Sequence, residues 1–220
     1  MITHKGAVAI EGDFKMMQYQ PINGRLLVFL AMLAPACAAP EAQETGTLGE
    51  QSGEAVSAYT VSGYTWQLPY RGGEGGGPYN ISCGNAVAAG VFGRSGAYVD
   101  QLGLICAELR QDGSLGPAWT TNTAGGNGGG SFYAVCPDGQ ALVGLTGRSG
   151  RYVDQIGIQC APVSAWLSSG SPWYSNYAGG GSGGNPYGDT CRKGYMITSI
   201  NGRSGSYVDA QQPVCTYVSQ

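Results

Sequence analysis

An eight-residue phrase, Gly-Arg-Ser-Gly-x-Tyr-Val-Asp, occurs three times in this chain and ends each time in a carboxylate. The copies begin at Gly93, Gly147 and Gly202, at intervals of 54 and 55 residues. A carboxylate can accept hydrogen bonds from two neighbouring hydroxyl groups, and the N–H groups of a glycine-rich turn can donate to hydroxyl oxygens. Sugars present vicinal hydroxyls, so the triplicated phrase predicts a repeated carbohydrate-binding site.

Two further features accompany every phrase. A glycine cluster precedes it in the same copy, and glycine lets a backbone approach a ligand closely and adopt a positive φ. A tyrosine stands two residues before the aspartate, where its ring could offer a flat apolar surface to a sugar. The clusters begin at Gly72, Gly125 and Gly179, and the tyrosines are Tyr98, Tyr152 and Tyr207.

Each feature also has a purely structural interpretation. The aspartates can close a turn by accepting bonds from nearby N–H groups, and the glycine clusters can be flexible turns. The arginines of the phrase are better explained as braces of the loop than as ligand contacts. Only the joint three-fold recurrence favours a binding site. The aspartates are Asp100, Asp154 and Asp209, and the arginines are Arg94, Arg148 and Arg203.

The residue types argue against catalysis, metal binding and nucleic-acid binding. The only histidine is His4, so Ser-His and Cys-His mechanisms are excluded from the repeats, and the repeated carboxylates come one per copy. The cysteines lack the close Cys-x-x-Cys spacing of zinc sites. From residue 38 onward, 8 Lys and Arg stand against 12 Asp and Glu, which leaves no basic stripe for phosphates. We therefore predict a protein that is not an enzyme and needs no cofactor or metal.

The phrase lies within a longer repeat that predicts strands. Each copy opens with a tryptophan (Trp66, Trp119, Trp173) and contains short alternating runs such as Gln155 to Cys160. Gly and Pro total 50 of 220 residues, which is typical of tight turns between short strands. Each copy has room for about four strands, so we expect three four-stranded sheets around one shared core and no helix.

Six of the seven cysteines recur at equivalent positions, two per copy, as disulfides in an oxidising compartment would. Six cysteines allow fifteen pairings. The repeat favours pairing within a copy, as Cys83–Cys106, Cys136–Cys160 and Cys191–Cys215.

The end of the third copy departs from the pattern. Gln211 and Pro213 replace the apolar positions that Ile156 and Ile158 hold in the second copy. Proline cannot donate to a strand ladder. We expect the last strand to be an edge strand or to be locally irregular.

The first 56 residues have a different composition. An apolar run at residues 26–34 is too short to span a bilayer and is typical of a signal peptide, which we place at 1–37; a buried strand is the alternative. Cys37 follows in a sequence that resembles a bacterial lipidation site, although cleavage without lipidation fits equally. Residues 38–56 are polar and predict a flexible linker to a domain at 57–220. Both interpretations predict a protein that is secreted or anchored by lipid to the outer surface.

The segment ALVGLTGRSGRYVDQIGIQ resembles the ligand loop of jacalin-related lectins, in which a Gly-x-x-x-Asp phrase follows one strand and precedes an Ile-Gly pair. The clusters GGEGG and GGNGG are similar to that family's glycine-rich loop. The resemblance covers about residues 60–220. It implies a β-prism I fold, with three four-stranded sheets around a pseudo-three-fold axis, and sugar binding by the aspartate and adjacent main-chain N–H groups.

The resemblance also implies which loops meet. Asp100 would face the glycine loop at Gly125–Gly126, Asp154 would face Gly179–Gly180, and Asp209 would face Gly72–Gly73. Galactose-specific members use a processed chain with a free terminal glycine, of which this sequence shows no sign, so mannose or glucose glycans are the expected partners. The remaining implied site residues are Gly96, Tyr98 and Val99, Gly150, Tyr152 and Val153, and Gly205, Tyr207 and Val208.

A second resemblance leaves an alternative open. The sequence Cys136-Pro137-Asp138-Gly139, with the later Cys160, is similar to vitelline membrane outer layer protein I, an extracellular coat component with a β-prism architecture. Jacalin-related lectins of plants usually carry one phrase and few cysteines, unlike this chain. The alternative to a lectin is therefore a non-catalytic structural or coat protein.

Overall fold

A computed structural model describes residues 58–172 and 174–220, which form fourteen strands and one short helix. In chain order the elements are β1 (Thr60–Gln67), β2 (Arg71–Gly72), β3 (Gly77–Ser82), β4 (Val87–Ser95), β5 (Val99–Leu109), β6 (Leu115–Thr120), β7 (Ala124–Gly125), β8 (Gly130–Val135), β9 (Gln140–Ser149), β10 (Val153–Pro162), α1 (Val163–Ser169), β11 (Tyr174–Gly180), β12 (Asn185–Thr190), β13 (Tyr195–Ser204) and β14 (Val208–Ser219).

The strands form three antiparallel sheets that share one hydrophobic core. Their orders are β6-β5-β4-β8, β11-β10-β9-β12 and β1-β14-β13-β3, and the two-residue strands β7 and β2 pair with β5 and β14. The prediction of an all-β fold with three four-stranded sheets is confirmed.

Each sheet combines two consecutive copies of the repeat. Its inner pair is the hairpin that carries the Gly-Arg-Ser-Gly phrase, as in β4 and β5, and its outer strands come from the start of the next copy, as in β6 and β8. In the third sheet, β1, β2 and β3 of the first copy flank the last hairpin, and Thr60 pairs with Ser219. The first and last strands therefore close the ring.

The inner strands supply the core. Ile156, Ile158 and Cys160 are fully buried, whereas Gln155 and Gln159 between them are partly exposed. The two-residue period read from this segment is therefore confirmed, and one face of β10 points into the centre of the prism.

Three disulfides lie at the end of the prism opposite the turns that carry the phrases. They are Cys83–Cys106, Cys136–Cys160 and Cys191–Cys215, with Cα atoms 5.5, 5.6 and 5.8 Å apart. Each bond joins the segment that precedes a hairpin to the far part of the hairpin's second strand. The pairing predicted from the repeat is confirmed.

Of the two alternatives expected for the last strand, the edge strand is wrong and the local irregularity is observed: its pairing is interrupted on one side between Gln211 and Val214 and shifts register on the other beside Val214. Strand β14 lies between β1 and β13 in its sheet. The carbonyl of Pro213 accepts a bond from the Leu68 N–H at 2.9 Å, and in an antiparallel ladder the N–H and carbonyl of one residue face the same neighbour. The N–H that proline lacks would therefore face the interruption between β1 and β2. At the equivalent interruption in the first copy, the Leu104 N–H donates to Thr121 Oγ1.

The third copy is shifted by one residue from the sequence alignment. Trp66 and Trp119 pair with Cys215 and Cys106 in their sheets. The residue that pairs with Cys160 is Tyr174 rather than Trp173. Tyr174 is therefore the structural equivalent of the two tryptophans.

Helix α1 corrects the expectation of a domain without helix. It begins after Pro162 and ends at Gly170, whose φ of 72° lies in the left-handed region that favours glycine. Trp166 of this helix is fully buried and donates from its indole Nε1 to the Tyr195 carbonyl at 2.6 Å. The Pro and Gly at its two ends are the signal that sequence reasoning missed.

The proposed signal peptide (1–37), the linker (38–56) and Cys37 lie outside the described residues. Within 58–172 and 174–220, no helix combines the length and the apolar character needed to cross a membrane.

Candidate functional site

The three repeated aspartates are buried at the start of the second hairpin strands β5, β10 and β14. Asp100, Asp154 and Asp209 are only 5%, 5% and 6% exposed. Their backbone carbonyls accept bonds from the N–H groups of Gly126, Gly181 and Gly73, at 2.8, 2.7 and 2.8 Å. Each aspartate is thus joined through its main chain to the glycine loop of the next copy, and the third is joined to the first. We name the resulting sites the Asp100, Asp154 and Asp209 sites.

The glycine loops contact the carboxylates themselves. A Cβ added at Gly128 would lie 2.2 Å from Asp100 Oδ1, and one added at Gly129 would lie 2.6 Å from Oδ2. Real Cβ atoms essentially never approach other atoms so closely, so no larger residue fits without moving the carboxylate. The other two sites repeat these approaches at Gly75 and Gly76, and at Gly183 and Gly184.

The arginines of the phrases brace the glycine loops. The guanidinium of Arg203 donates to the carbonyls of Glu74, Gly75 and Gly76 at 2.6–3.0 Å. Arg94 and Arg148 make equivalent bonds to the loops at 127–129 and 183–184. The interpretation of these arginines as structural braces is confirmed. Because these loop carbonyls already accept bonds from the arginine, they are used to hold the loop in place rather than to bind a ligand.

A third copy contributes to every site, which sequence reasoning did not foresee. A Cβ added at Gly73 would lie 2.4 Å from the Arg151 carbonyl, although Gly73 belongs to the Asp209 site and Arg151 to the second phrase. A Cβ added at Gly126 would likewise lie 2.5 Å from the Ser206 carbonyl, and one added at Gly181 would lie 2.5 Å from the Ala97 carbonyl. The variable residue of each phrase therefore borders the site of another copy.

The tyrosines of the phrases pack against one another. The ring centroids of Tyr98 and Tyr152 are 4.9 Å apart, those of Tyr98 and Tyr207 5.3 Å, and those of Tyr152 and Tyr207 5.2 Å. These are the spacings of favourable tilted aromatic pairs. The rings are half-buried and form a hub on the pseudo-three-fold axis. They do not stand as three separate platforms beside the aspartates, as the sequence had suggested.

The remaining sequence-predicted residues take two kinds of position. Val99, Val153 and Val208 are fully buried in the core, so only their main-chain groups can face a ligand. Gly96, Gly150 and Gly205 lie near the carboxylates, since a Cβ added there would stand 3.8, 3.6 and 3.7 Å from the Oδ2 of their own aspartate.

The predicted glycine pairs coincide with the loops in two copies of three. Gly72–Gly73 and Gly125–Gly126 meet Asp209 and Asp100 as expected. In the third copy the equivalent pair is Gly180–Gly181, because Gly180 has a positive φ of 108°, close to the 118° of Gly72 and the 108° of Gly125. Gly179 instead approaches Phe132 and Ser95. The extra glycine in this cluster hid the register from sequence alignment.

The electrostatics of the Asp154 site leave a hydrogen-bond acceptor unused. Burial raises the pKa of the Asp154 carboxyl, and the Gly150 N–H and the positive charge of Arg148 lower it only in part. Its Oδ2 is buried and has no hydrogen-bond partner among the described residues. An unsatisfied buried carboxylate oxygen is costly, which agrees with the raised pKa of this carboxyl.

The arrangement offers fixed hydrogen-bonding groups. Each site brings one carboxylate together with main-chain atoms of a glycine loop. In the described part of the chain, no three His, Cys, Asp or Glu side chains are grouped so that they could hold a metal ion. A ligand with several hydroxyl groups matches these donors and acceptors.

The fold is similar to that of solved lectins. The Malaysian banana lectin is 17% identical, with a TM-score of 0.53 over 70% of this chain and 99% of the lectin. A mannose-binding jacalin-related lectin from Ananas comosus is 21% identical, with a TM-score of 0.52 over 70% and 98% of the two chains. A mannose-specific jacalin-related lectin from Morus nigra, solved with mannose, is 18% identical, with a TM-score of 0.51 over 70% and 96%.

These likenesses are structural. No protein-family model matches the sequence, and no curated protein matches it. At such low identity the comparison establishes the fold: the chain has the β-prism I architecture of jacalin-related lectins.

Proposed function

We propose that this protein is a lectin that binds mannose- or glucose-type glycans at up to three sites. The observation that carries the proposal is the set of three buried aspartates, each in contact with a glycine loop. Two glycines of each loop lie so close to the carboxylate that a side chain on either glycine would clash with it.

The chemistry of binding follows from the donors and acceptors. An ionised aspartate accepts bonds from two neighbouring hydroxyls, and charge-assisted bonds of this kind are about twice as strong as neutral ones. Main-chain N–H groups of the phrase and of the glycine loop donate to the same hydroxyl oxygens. Because the loops are braced by Arg94, Arg148 and Arg203, the sites are formed before the sugar arrives and lose little entropy on binding.

The solved neighbours support mannose as the first ligand to test. Those from Ananas comosus and Morus nigra are described as mannose-binding and mannose-specific, and the second was solved with mannose. A single monosaccharide site offers few contacts, so each affinity should be weak. Three sites on one rigid body would gain avidity for dense glycans.

The disulfides are consistent with an extracellular protein. We place the lectin outside the cytoplasm, either secreted or held at the outer surface by a lipid on Cys37. Mass spectrometry of the purified native protein distinguishes the two, because lipidation makes Cys37 the first residue and adds the mass of the acyl chains.

Calorimetric titration with methyl α-mannoside tests the function. The oxidised chain should bind close to three sugars, whereas methyl α-galactoside should bind more weakly. The matched control is the variant Asp100→Asn, Asp154→Asn, Asp209→Asn, which keeps the side-chain volume and removes the charge, and it should bind neither sugar. If the folded protein releases no heat with either sugar at millimolar concentration, the lectin proposal fails and the coat-protein alternative takes its place.

A further inference from the structure

The end of the prism opposite the aspartates carries a second feature that could bind a ligand. Trp119 of β6 pairs with Cys106, which is six residues beyond Asp100 on β5. At about 3.3 Å per residue, the tryptophan lies roughly 20 Å from the Asp100 site. Trp119 is 45% exposed, although its indole is a large and mostly apolar ring system.

At the same position in the third sheet, an arginine covers one face of the tryptophan ring. Trp66 pairs with Cys215, whose disulfide partner is Cys191, and the next residue, Arg192, places its guanidinium 3.3 Å from the centroid of the Trp66 ring. This is a cation–π stack at close range. Trp66 is exposed to a similar overall degree, but one face of its ring is occupied by the arginine.

In the first sheet no arginine follows the equivalent cysteine. Cys106 is bonded to Cys83, and the residue after Cys83 is Gly84. Gly84 lies within the turn, with a φ of 65°, whereas Arg192 precedes the turn of its own copy. A Cβ added at Gly84 would meet no atom within 4 Å, so the space next to it is open. The equivalent position of the second sheet has no such opening, because the aromatic residue there, Tyr174, packs against the core.

The open space is a groove with mixed chemistry. Its volume is ≈ 290 Å³, and it is lined by Trp119, the apolar Cys83 and Ala86, and the polar Asn85 and Glu108. Small-molecule sites of about 300 Å³ and more are typically built this way, from apolar surface with a few polar groups. The volume suits one sugar ring rather than a peptide.

We propose that this groove, here called the Trp119 groove, is a second carbohydrate site for gluco-configured pyranoses. A pyranose with equatorial hydroxyls presents axial C–H groups on both faces, and such a face can lie flat on an indole. Its equatorial hydroxyls then point sideways, where the Glu108 carboxylate accepts from them and the Asn85 amide both donates and accepts. The site is chemically distinct from the aspartate sites, because it has neither their buried aspartates nor their glycine loops, and it does not depend on the function proposed for them.

Nuclear magnetic resonance of the indole N–H groups tests the proposal. The chain has four tryptophans, and the Trp119 resonance is assigned by its loss in Trp119→Phe. The probes are cellotetraose for the groove and methyl α-mannoside for the aspartate sites. We expect cellotetraose to shift the Trp119 resonance both in the native chain and in the triple Asp→Asn variant, whereas the mannoside should leave it in place.

Two variants and one control make the result specific. Gly84→Arg adds a long cationic side chain beside the groove and should weaken cellotetraose binding about tenfold or more. Glu108→Gln should weaken it by a smaller factor without changing the shape of the groove. Trp66→Phe is the matched control and should bind cellotetraose as the native chain does.

The outcomes separate this proposal from the lectin function. If cellotetraose up to tens of millimolar leaves the Trp119 resonance unmoved, the groove is not a sugar site. The same conclusion follows if cellotetraose shifts this resonance in Gly84→Arg and Glu108→Gln at the same concentrations as in the native chain. Loss of mannoside binding in the triple Asp→Asn variant bears only on the aspartate sites. Should Gly84→Arg fail to fold because Gly84 has a φ of 65°, Glu108→Gln and Trp66→Phe still decide the question.

Discussion

Replacing one glycine should switch off one sugar site and leave the other two intact. A Cβ at Gly128 would stand 2.2 Å from Asp100 Oδ1, whereas ordinary contacts begin at 3.4 Å. The carboxylate of Gly128→Ala must therefore move by about 1.2 Å. Hydrogen bonds tolerate only a few tenths of an ångström before they weaken, so both bonds from the sugar to this carboxylate should be lost.

The magnitude follows from the strength of those bonds. A hydrogen bond to a charged group contributes about 1.5–3 kcal/mol, so the loss of two corresponds to at least about 3 kcal/mol, or more than about a hundredfold in affinity. A site that starts in the millimolar range then falls outside a calorimetric titration. Methyl α-mannoside stoichiometry should drop from about three to about two. Overpacking should also lower the melting temperature, by about 2–4 °C for each kcal/mol lost.

The chain supplies a matched control two residues away. A Cβ added at Gly130 would have nothing within 4 Å, and neither Gly128 nor Gly130 is among the glycines with a positive φ. Gly130→Ala should therefore keep three sites and the native melting temperature. If Gly128→Ala still binds three mannosides with native affinity, or if Gly130→Ala loses a site as well, the assignment of the carboxylate as the sugar acceptor is wrong.

Three further predictions concern stability. Burial raises the pKa of Asp154 in the folded protein, so the folded state holds this proton to higher pH than the unfolded chain does. The stability of the native chain therefore falls as the pH rises from the ordinary aspartate pKa through the raised one. Asp154→Asn should remove this part of the pH dependence of stability, melt at a higher temperature than the native chain at pH 7, and lose one sugar site. Arg203→Lys should lower stability by about 1 kcal/mol, because a lysine cannot reproduce the fork that reaches the Glu74, Gly75 and Gly76 carbonyls; thermal melting measures this. Removal of the Cys83–Cys106 bond by a double Cys→Ser change should cost about 3 kcal/mol, since it releases a loop of 23 residues in the unfolded chain, as urea denaturation would measure.

Each of these has a result that contradicts it. An Asp154→Asn variant that melts below the native protein at pH 7 would mean that the ionised carboxylate is stabilised by a partner other than those described. A native-like Arg203→Lys melt would mean that the loop needs no brace. An unchanged urea midpoint after removal of the disulfide would mean that this bond does not stabilise the domain, and that other contacts, such as the pairing of β1 with β14, determine its stability.

Recurrence made most of the fold predictable from the sequence. The disulfide pairing and the three sheets depend on features that appear three times, so an error in one copy is corrected by the others. The edge alternative at Pro213 has the opposite origin. It rested on one proline, which cannot donate to a strand ladder, and the sequence of that segment does not reveal that its partner β1, about 150 residues earlier, is interrupted at this position.

The candidate sites were harder to predict because they are assembled around an axis. Tyr152 could be placed beside Asp154 along the chain, but only the fold shows that it packs on Tyr98 and Tyr207. Arg151 likewise belongs by sequence to the second phrase, yet it borders the Asp209 site through Gly73. Spacing along a repeat predicts contacts within a copy and between successive copies, but not contacts among three.

The pairing of Thr60 with Ser219 determines from which end the domain can be attached to a surface or to another protein. Strand β14 runs from Val208, beside the Asp209 site, to Ser219 at the other end of the prism, where the Thr60 and Ser219 hydroxyls lie 2.8 Å apart. Anything attached to either end of the described domain, whether a surface, a bead or a fused protein, therefore joins it on the side away from the three aspartates. A layer of such domains would present every aspartate site outward, and would turn the Trp119 groove toward the support.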